Sequence, residues 1–174
     1  MEQLLLTVNM IVHLFVTVAF IGGPFYMLLV TGNRKKMGPD FDYPMDRYLE
    51  NIIEGQPLRC FIYLFLLVLT GFFFPAIHYL FQGSFKELTT LALYAIVIKH
   101  FLILIAFSVM LYMYFGPATK VREIMGTITP DKKPDRSVVD TLFFWRAKRR
   151  ALCKTIFIIQ IGIIIFTAIL RFAE

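Results

Sequence analysis

The sequence predicts an all-α integral membrane protein: a four-transmembrane-helix up-down bundle with short interfacial helices in its cytoplasmic loops. Three observations predict it. Of the 174 residues, 58% are hydrophobic and only 17% charged, where a soluble domain carries about 25% charged. A chain this short has a high surface-to-volume ratio, so a soluble fold would need more polar surface, not less. Four stretches, Leu4–Val30, Phe61–Phe81, Leu88–Phe115 and Ala151–Leu170, reach the roughly 20 apolar residues that cross a bilayer. The third observation is where the charge lies: 14 of the 18 Lys and Arg residues fall in segments 31–60 and 116–150.

The first span begins too close to Met1, with Glu2 in place of a basic flank, to read as a cleaved leader, and is expected to be permanent. Spans two and three are joined by a six-residue turn, Gln82–Glu87. That end of the bundle holds Lys86 and Arg171, whereas the long connections hold Arg34, Lys35, Lys36, Arg47 and Arg59, then Lys120, Arg122 and the run Arg146–Arg150. The positive-inside rule makes the two long loops cytoplasmic and sends both termini outward. The excess of cations, a formal +6, is thereby explained by topology, and no nucleic-acid partner is expected. With no internal repeat of 20–50 residues, the chain reads as one membrane domain, 1–174.

Within the first long loop, Met45, Tyr48, Leu49, Ile52 and Ile53 recur at helical spacing, with Asp46, Arg47, Glu50, Asn51 and Glu54 on the other face. Gly55 and Pro57 are expected to end this helix, which would lie at the membrane surface. Ser137–Arg150 repeats the theme, with Trp145 at the interface, and is positioned to run straight into span four. Both are expected to anchor at the membrane, or to form a docking surface for a cytoplasmic or membrane partner. The segment Pro130–Pro134 reads as a loop.

Ionisable groups inside a span point to function. Four stand out: His13 on span one, His78 on span two, and Lys99 and His100 on span three. At 1.5 Å per residue, His13 lies roughly 13 Å and His100 roughly 18 Å below the outer face, while His78 is only about 4–5 Å in. Imidazoles on facing helices at matched depth suit axial ligation of a haem b in a helical bundle. His13 and His100, on diagonal spans, are the expected iron ligands, and His78 is the alternative. Lys99 lies about 100° around the helix from His100, placed for a propionate or substrate carboxylate rather than for the same contact. Gly22 and Gly23 leave room for a flat ring or another helix.

No Gly-rich phosphate loop and no His-Glu-x-x-His zinc helix occurs. Met110 and Met113 offer two thioethers of the kind that bind Cu(I), yet lie far from the histidines, and packing is their simpler use. Cys60 and Cys153 lie toward the reducing cytoplasmic side and are expected as free thiols.

The run His13-Leu-Phe-Val-Thr-Val-Ala-Phe20-Ile-Gly22-Gly23-Pro-Phe25-Tyr26 resembles the first helix of the HemJ-type protoporphyrinogen oxidases and the related CopD-like membrane proteins. Lys99 resembles that family's intramembrane lysine, and Arg59 and Arg149 fall where basic residues flank its second and fourth spans. Phe20 stands in place of the family's usual Trp. The resemblance implies a four-to-five-helix scaffold holding haem b, in a family with porphyrinogen oxidases and with members assigned to copper export or uptake.

The first expectation is a small b-type cytochrome, an electron-transfer subunit of a larger respiratory or photosynthetic complex in the bacterial inner membrane. The second is an oxidase of a porphyrinogen or quinol, with Lys99 and Arg59 on carboxylates. A copper permease and a purely structural subunit follow.

Overall fold

The computed structural model of the chain describes residues 1–38, 40–85 and 87–173, and of residues 35, 171 and 173 the backbone alone. Lys86, counted above at the short-turn end, lies outside the described residues, as do the side chains of Lys35 and Arg171. Among the described residues the fold has six α-helices: α1 (Glu2–Lys36), α2 (Tyr43–Glu54), α3 (Gln56–Gln82), α4 (Thr90–Met113), α5 (Thr119–Thr127) and α6 (Arg136–Ala173). No strand occurs among the described residues. Four helical stretches among the described residues are long and apolar enough to cross a membrane, so the protein is a multi-pass membrane protein with an all-α four-helix bundle.

α1 pairs with α3 and α6, and α4 pairs with α6 and α3. α1 therefore stands diagonally opposite α4. The rows that face inward follow alternating steps of three and four, the spacing of a bundle seam. On α1 the row is Asn9, His13, Val16, Phe20, Gly23 and Met27; on α4 it is Ala92, Ala95, Lys99, Leu102, Ala106, Met110 and Met113. Large apolar groups such as Phe15, Phe65, Phe72, Phe101 and Ile165 stand exposed on the outside. Contiguous apolar surface of this extent suits lipid rather than water.

The helix ends follow the local chemistry. Asp42 caps α2, accepting the Met45 N–H at 3.2 Å, and Thr89 caps α4 through the Ala92 N–H at 3.2 Å. Gly83 ends α3 in the left-handed region, φ 70°, its N–H reaching Tyr79 O at 2.9 Å.

Two boundaries differ from the sequence reading. Gly55 does end α2, but Pro57 opens α3 instead of belonging to a loop, because the first helical turn has no use for the missing N–H. Span three was expected to stop at Phe115; helix continues through a π-helical turn, Tyr114–Ala118, into α5. The wider turn accommodates Pro117, which cannot donate into an α ladder. As expected, Ser137–Arg150 runs straight into span four, the two forming one helix, α6, 38 residues long.

The end with the long connections, the basic end, is closed by an ion-pair clasp. Asp46 on α2 is wholly buried (0% exposed) and meets Arg34 of α1 through both oxygens at 2.9 Å and Arg146 of α6 at 2.6 Å. Glu50, one turn on, receives Arg146 at 2.9 Å and both terminal nitrogens of Arg149 at 2.7 and 2.9 Å. Buried charges persist only when paired and hydrogen-bonded in this way. Lys148 adds a contact between the rings of Tyr112 and Trp145, 5.3 and 5.2 Å from their centroids.

Candidate functional site: a polar layer inside the bundle

Three of the four helices contribute a polar side chain to one layer, well away from the clasp. His13 of α1 is half-buried, and its Nδ1 lies 2.7 Å from Thr70 Oγ1 of α3. The Thr70 hydroxyl has one proton, which it donates to Leu66 O at 2.7 Å, one turn back on its own helix. It must therefore accept from His13, so Nδ1 carries the imidazole hydrogen and Nε2 carries the lone pair. Asn9, one turn before His13, is buried and donates through Nδ2 to Thr70 O at 2.9 Å. Phe74 packs edge-on against the His13 ring, centroids 5.7 Å apart at 79°. Gly71 borders the same ring: a β-carbon there would stand 3.9 Å from His13 Cε1.

α4 supplies Lys99 to this layer. It occupies the inward row of α4, in step with Ala95 and Leu102. His100, the next residue, is exposed, and its Nδ1–H donates to Ile96 O at 2.7 Å on its own helix. The structure thus brings Lys99, not His100, to the His13 layer.

His78 lies elsewhere. Its Nδ1 is 3.3 Å from Glu2 Oε1, and Gln82 donates to Glu2 Oε2 at 2.7 Å, which ties the end of α3 to the start of α1. Gly22 has open space around it, while Gly23 is buried against Cys60, whose Sγ lies 3.0 Å from where a β-carbon would stand. Gly23 is a crossing point of α1 and α3, about 15 Å along the helix from His13 at 1.5 Å per residue. Arg59 is exposed at the basic end, and Arg149 belongs to the clasp. Neither shares a layer with Lys99.

The sequence reading passed over Asn9, Thr70 and Gln160. Gln160 is 1% exposed in the middle of α6, donating to Phe20 O at 2.9 Å while its Oε1 has no hydrogen-bond partner among the described residues. Each is a polar residue on an inward row, a signal visible once the row is known.

Toward a haem, His13 would offer one donor: Thr70 takes its Nδ1–H, and Nε2 is left with the lone pair. The pair His13 and His100 does not fit a bis-histidine site, because His100 turns away from the layer. Among the described residues no group of three or more His, Cys, Asp or Glu side chains is gathered as a metal site. No protein-family model, no curated protein and no solved structure matches the chain.

Proposed function

We propose that the chain is a membrane redox protein that holds one b-type haem through His13 Nε2 and passes electrons as a subunit of a larger complex. The observation that supports it most is the Thr70 hydrogen bond, which presents the nitrogen an iron would use and holds the ring in place. The likeness of His13–Tyr26 to the first helix of the HemJ and CopD-like proteins points the same way. When bound, the haem supplies one-electron chemistry. The chain's own part is to orient the imidazole through Asn9 and Thr70, to set Lys99 as a cation for a propionate, and to exclude water with Phe74 and the surrounding apolar wall.

The distribution of Lys and Arg supports an orientation with the clasp and long connections in the cytoplasm and both termini outside, in a bacterial inner membrane. The haem layer is then in the outer half of the bilayer, nearer to a partner subunit or quinone on that side.

A second reading is an oxidase of a porphyrinogen or quinol. Lys99 favours it, as a half-buried cation on the inward row of α4 suits a substrate carboxylate or a proton transfer. Purified protein from haem-replete cells is expected to give a pyridine haemochrome of close to one haem b per chain, and a colourless folded preparation would overturn both readings. Turnover of protoporphyrinogen by the coloured protein would decide for the oxidase.

A further inference from the structure

The clasp at the basic end carries more positive charge than its carboxylates balance. Arg34, Arg146 and Arg149 meet only Asp46 and Glu50, so three cations face two anions. None of these five side chains is more than 14% exposed. Arg34 and Arg146 each commit Nε to a carboxylate at 2.9 Å. Arg149 does not. Glu50 takes its two terminal nitrogens end-on, and its Nε, in a side chain 4% exposed, has no hydrogen-bond partner among the described residues. A planar guanidinium engaged end-on keeps a second parallel pair of N–H bonds along its side, a fork that matches an oxyanion. Arg149 lines a cavity of about 40 Å³ between α2, the start of α3, the π-helical turn, α5 and α6. Arg47 of α2 and Arg122 of α5, both exposed, line the same cavity. We infer that this cavity binds a phosphate group, with Arg149, Arg47 and Arg122 as its donors.

Size, depth and charge each narrow the ligand. One water needs about 10–15 Å³ of such space, so the cavity takes a group the size of a phosphate rather than a nucleotide. Pro57, also in its wall, stands four residues before Phe61, where the apolar run of span two begins. At 1.5 Å per residue that is about 6 Å beyond the hydrocarbon, inside a headgroup layer of about 5–8 Å. Lipid phosphates stand at that level. Two acids border the cavity, Glu50 and Glu54. Glu50 is occupied by Arg146 and Arg149. Glu54 is 3.9 Å from Arg122, too far for a hydrogen bond, so that guanidinium keeps its donors for a ligand. With the clasp's surplus cation and Arg47, the lining is net positive. A net-anionic headgroup offsets that charge, whereas a zwitterionic one brings its own ammonium.

This inference does not depend on the haem reading. The test is native mass spectrometry of delipidated protein in neutral detergent, titrated with phosphatidylglycerol, phosphatidylcholine or inorganic phosphate. The expected result is one phosphatidylglycerol per chain, held about ten-fold or more tighter than phosphatidylcholine. Arg47→Gln and Arg122→Gln, outside the clasp, should each weaken it by about ten-fold. Arg149→Lys keeps a cation for Glu50 and loses the fork, and should weaken binding as much in a protein that still folds. Lys120→Gln, which is exposed and pairs with Glu123, should bind as the parent does. Binding of inorganic phosphate in place of lipid would identify a soluble phosphate as the source, and its failure to bind would identify the lipid. Equal retention of the two lipids with no binding of phosphate, or undiminished binding in Arg149→Lys or in both surface variants, would overturn the site.

Discussion

Lys99 and His100 are consecutive on α4 and about 100° apart around the helix: Lys99 lies on the inward row, while His100 is exposed and bonded to Ile96 O of its own helix. This relationship separates two ways of building a haem site in the bundle, and single substitutions distinguish them.

His13→Ala is expected to abolish the haem b spectrum. His100→Ala should leave it unchanged, as should His78→Ala, whose ring pairs with Glu2. Optical spectra of the three purified variants check this. A spectrum lost in His100→Ala and kept in His13→Ala would refute the single-imidazole site.

Thr70→Val removes the acceptor of the His13 Nδ1–H while keeping the side-chain shape. Loss of such an orienting partner typically lowers affinity about 10–100-fold. Haem retention during dilution should fall accordingly in Thr70→Val and recover in Thr70→Ser, which restores the hydroxyl.

Asp46→Ala strands Arg34 and Arg146 without the carboxylate they share. Breaking a buried pair from one side costs about 3–5 kcal/mol. Thermal unfolding in detergent should show a loss of that size, and a much smaller one for Glu123→Ala, whose pairing with Lys120 is exposed.

Gly22 and Gly23 should respond differently. Gly22→Ala has open space and should be neutral or stabilising by up to about 1 kcal/mol through helix propensity. Gly23→Val pushes against Cys60 Sγ and should destabilise by about 1–3 kcal/mol, read from the same unfolding experiment.

Single cysteines replacing Gly38 and Lys132 are expected to label only from the cytoplasm, and one replacing Ser84 only from outside. Labelling of position 84 from the cytoplasmic side would reverse the proposed orientation.

The fold was legible because bilayer thickness leaves a sequence little choice: long apolar runs and basic connections are strong signals. Facing was harder to read. α4 is apolar on every side, so no polar stripe marks its outer surface, and Lys99 and His100 look alike by depth. The discriminating signal is the row Ala92, Ala95 and Ala106, small residues where α4 meets its neighbours, with Lys99 in step and His100 out of step. Thr70 and Asn9 escaped notice because neither is ionisable. The helix across Gly116 and Pro117 escaped because both residues ordinarily break helices, and a wider turn absorbs them here.

The clasp at the basic end also sets an order of events during synthesis. Arg34 pairs with Asp46 across 12 residues of chain, but Arg146 is 100 residues from the same carboxylate, and both arginines on Glu50 come from α6. At roughly 5–20 residues per second, Asp46 waits about 5–20 s after leaving the ribosome for its second arginine to be made. Throughout that interval the growing chain carries Glu50 without its arginines at the bilayer surface. Arrival of the last helix neutralises it, which makes α6 the element that completes assembly.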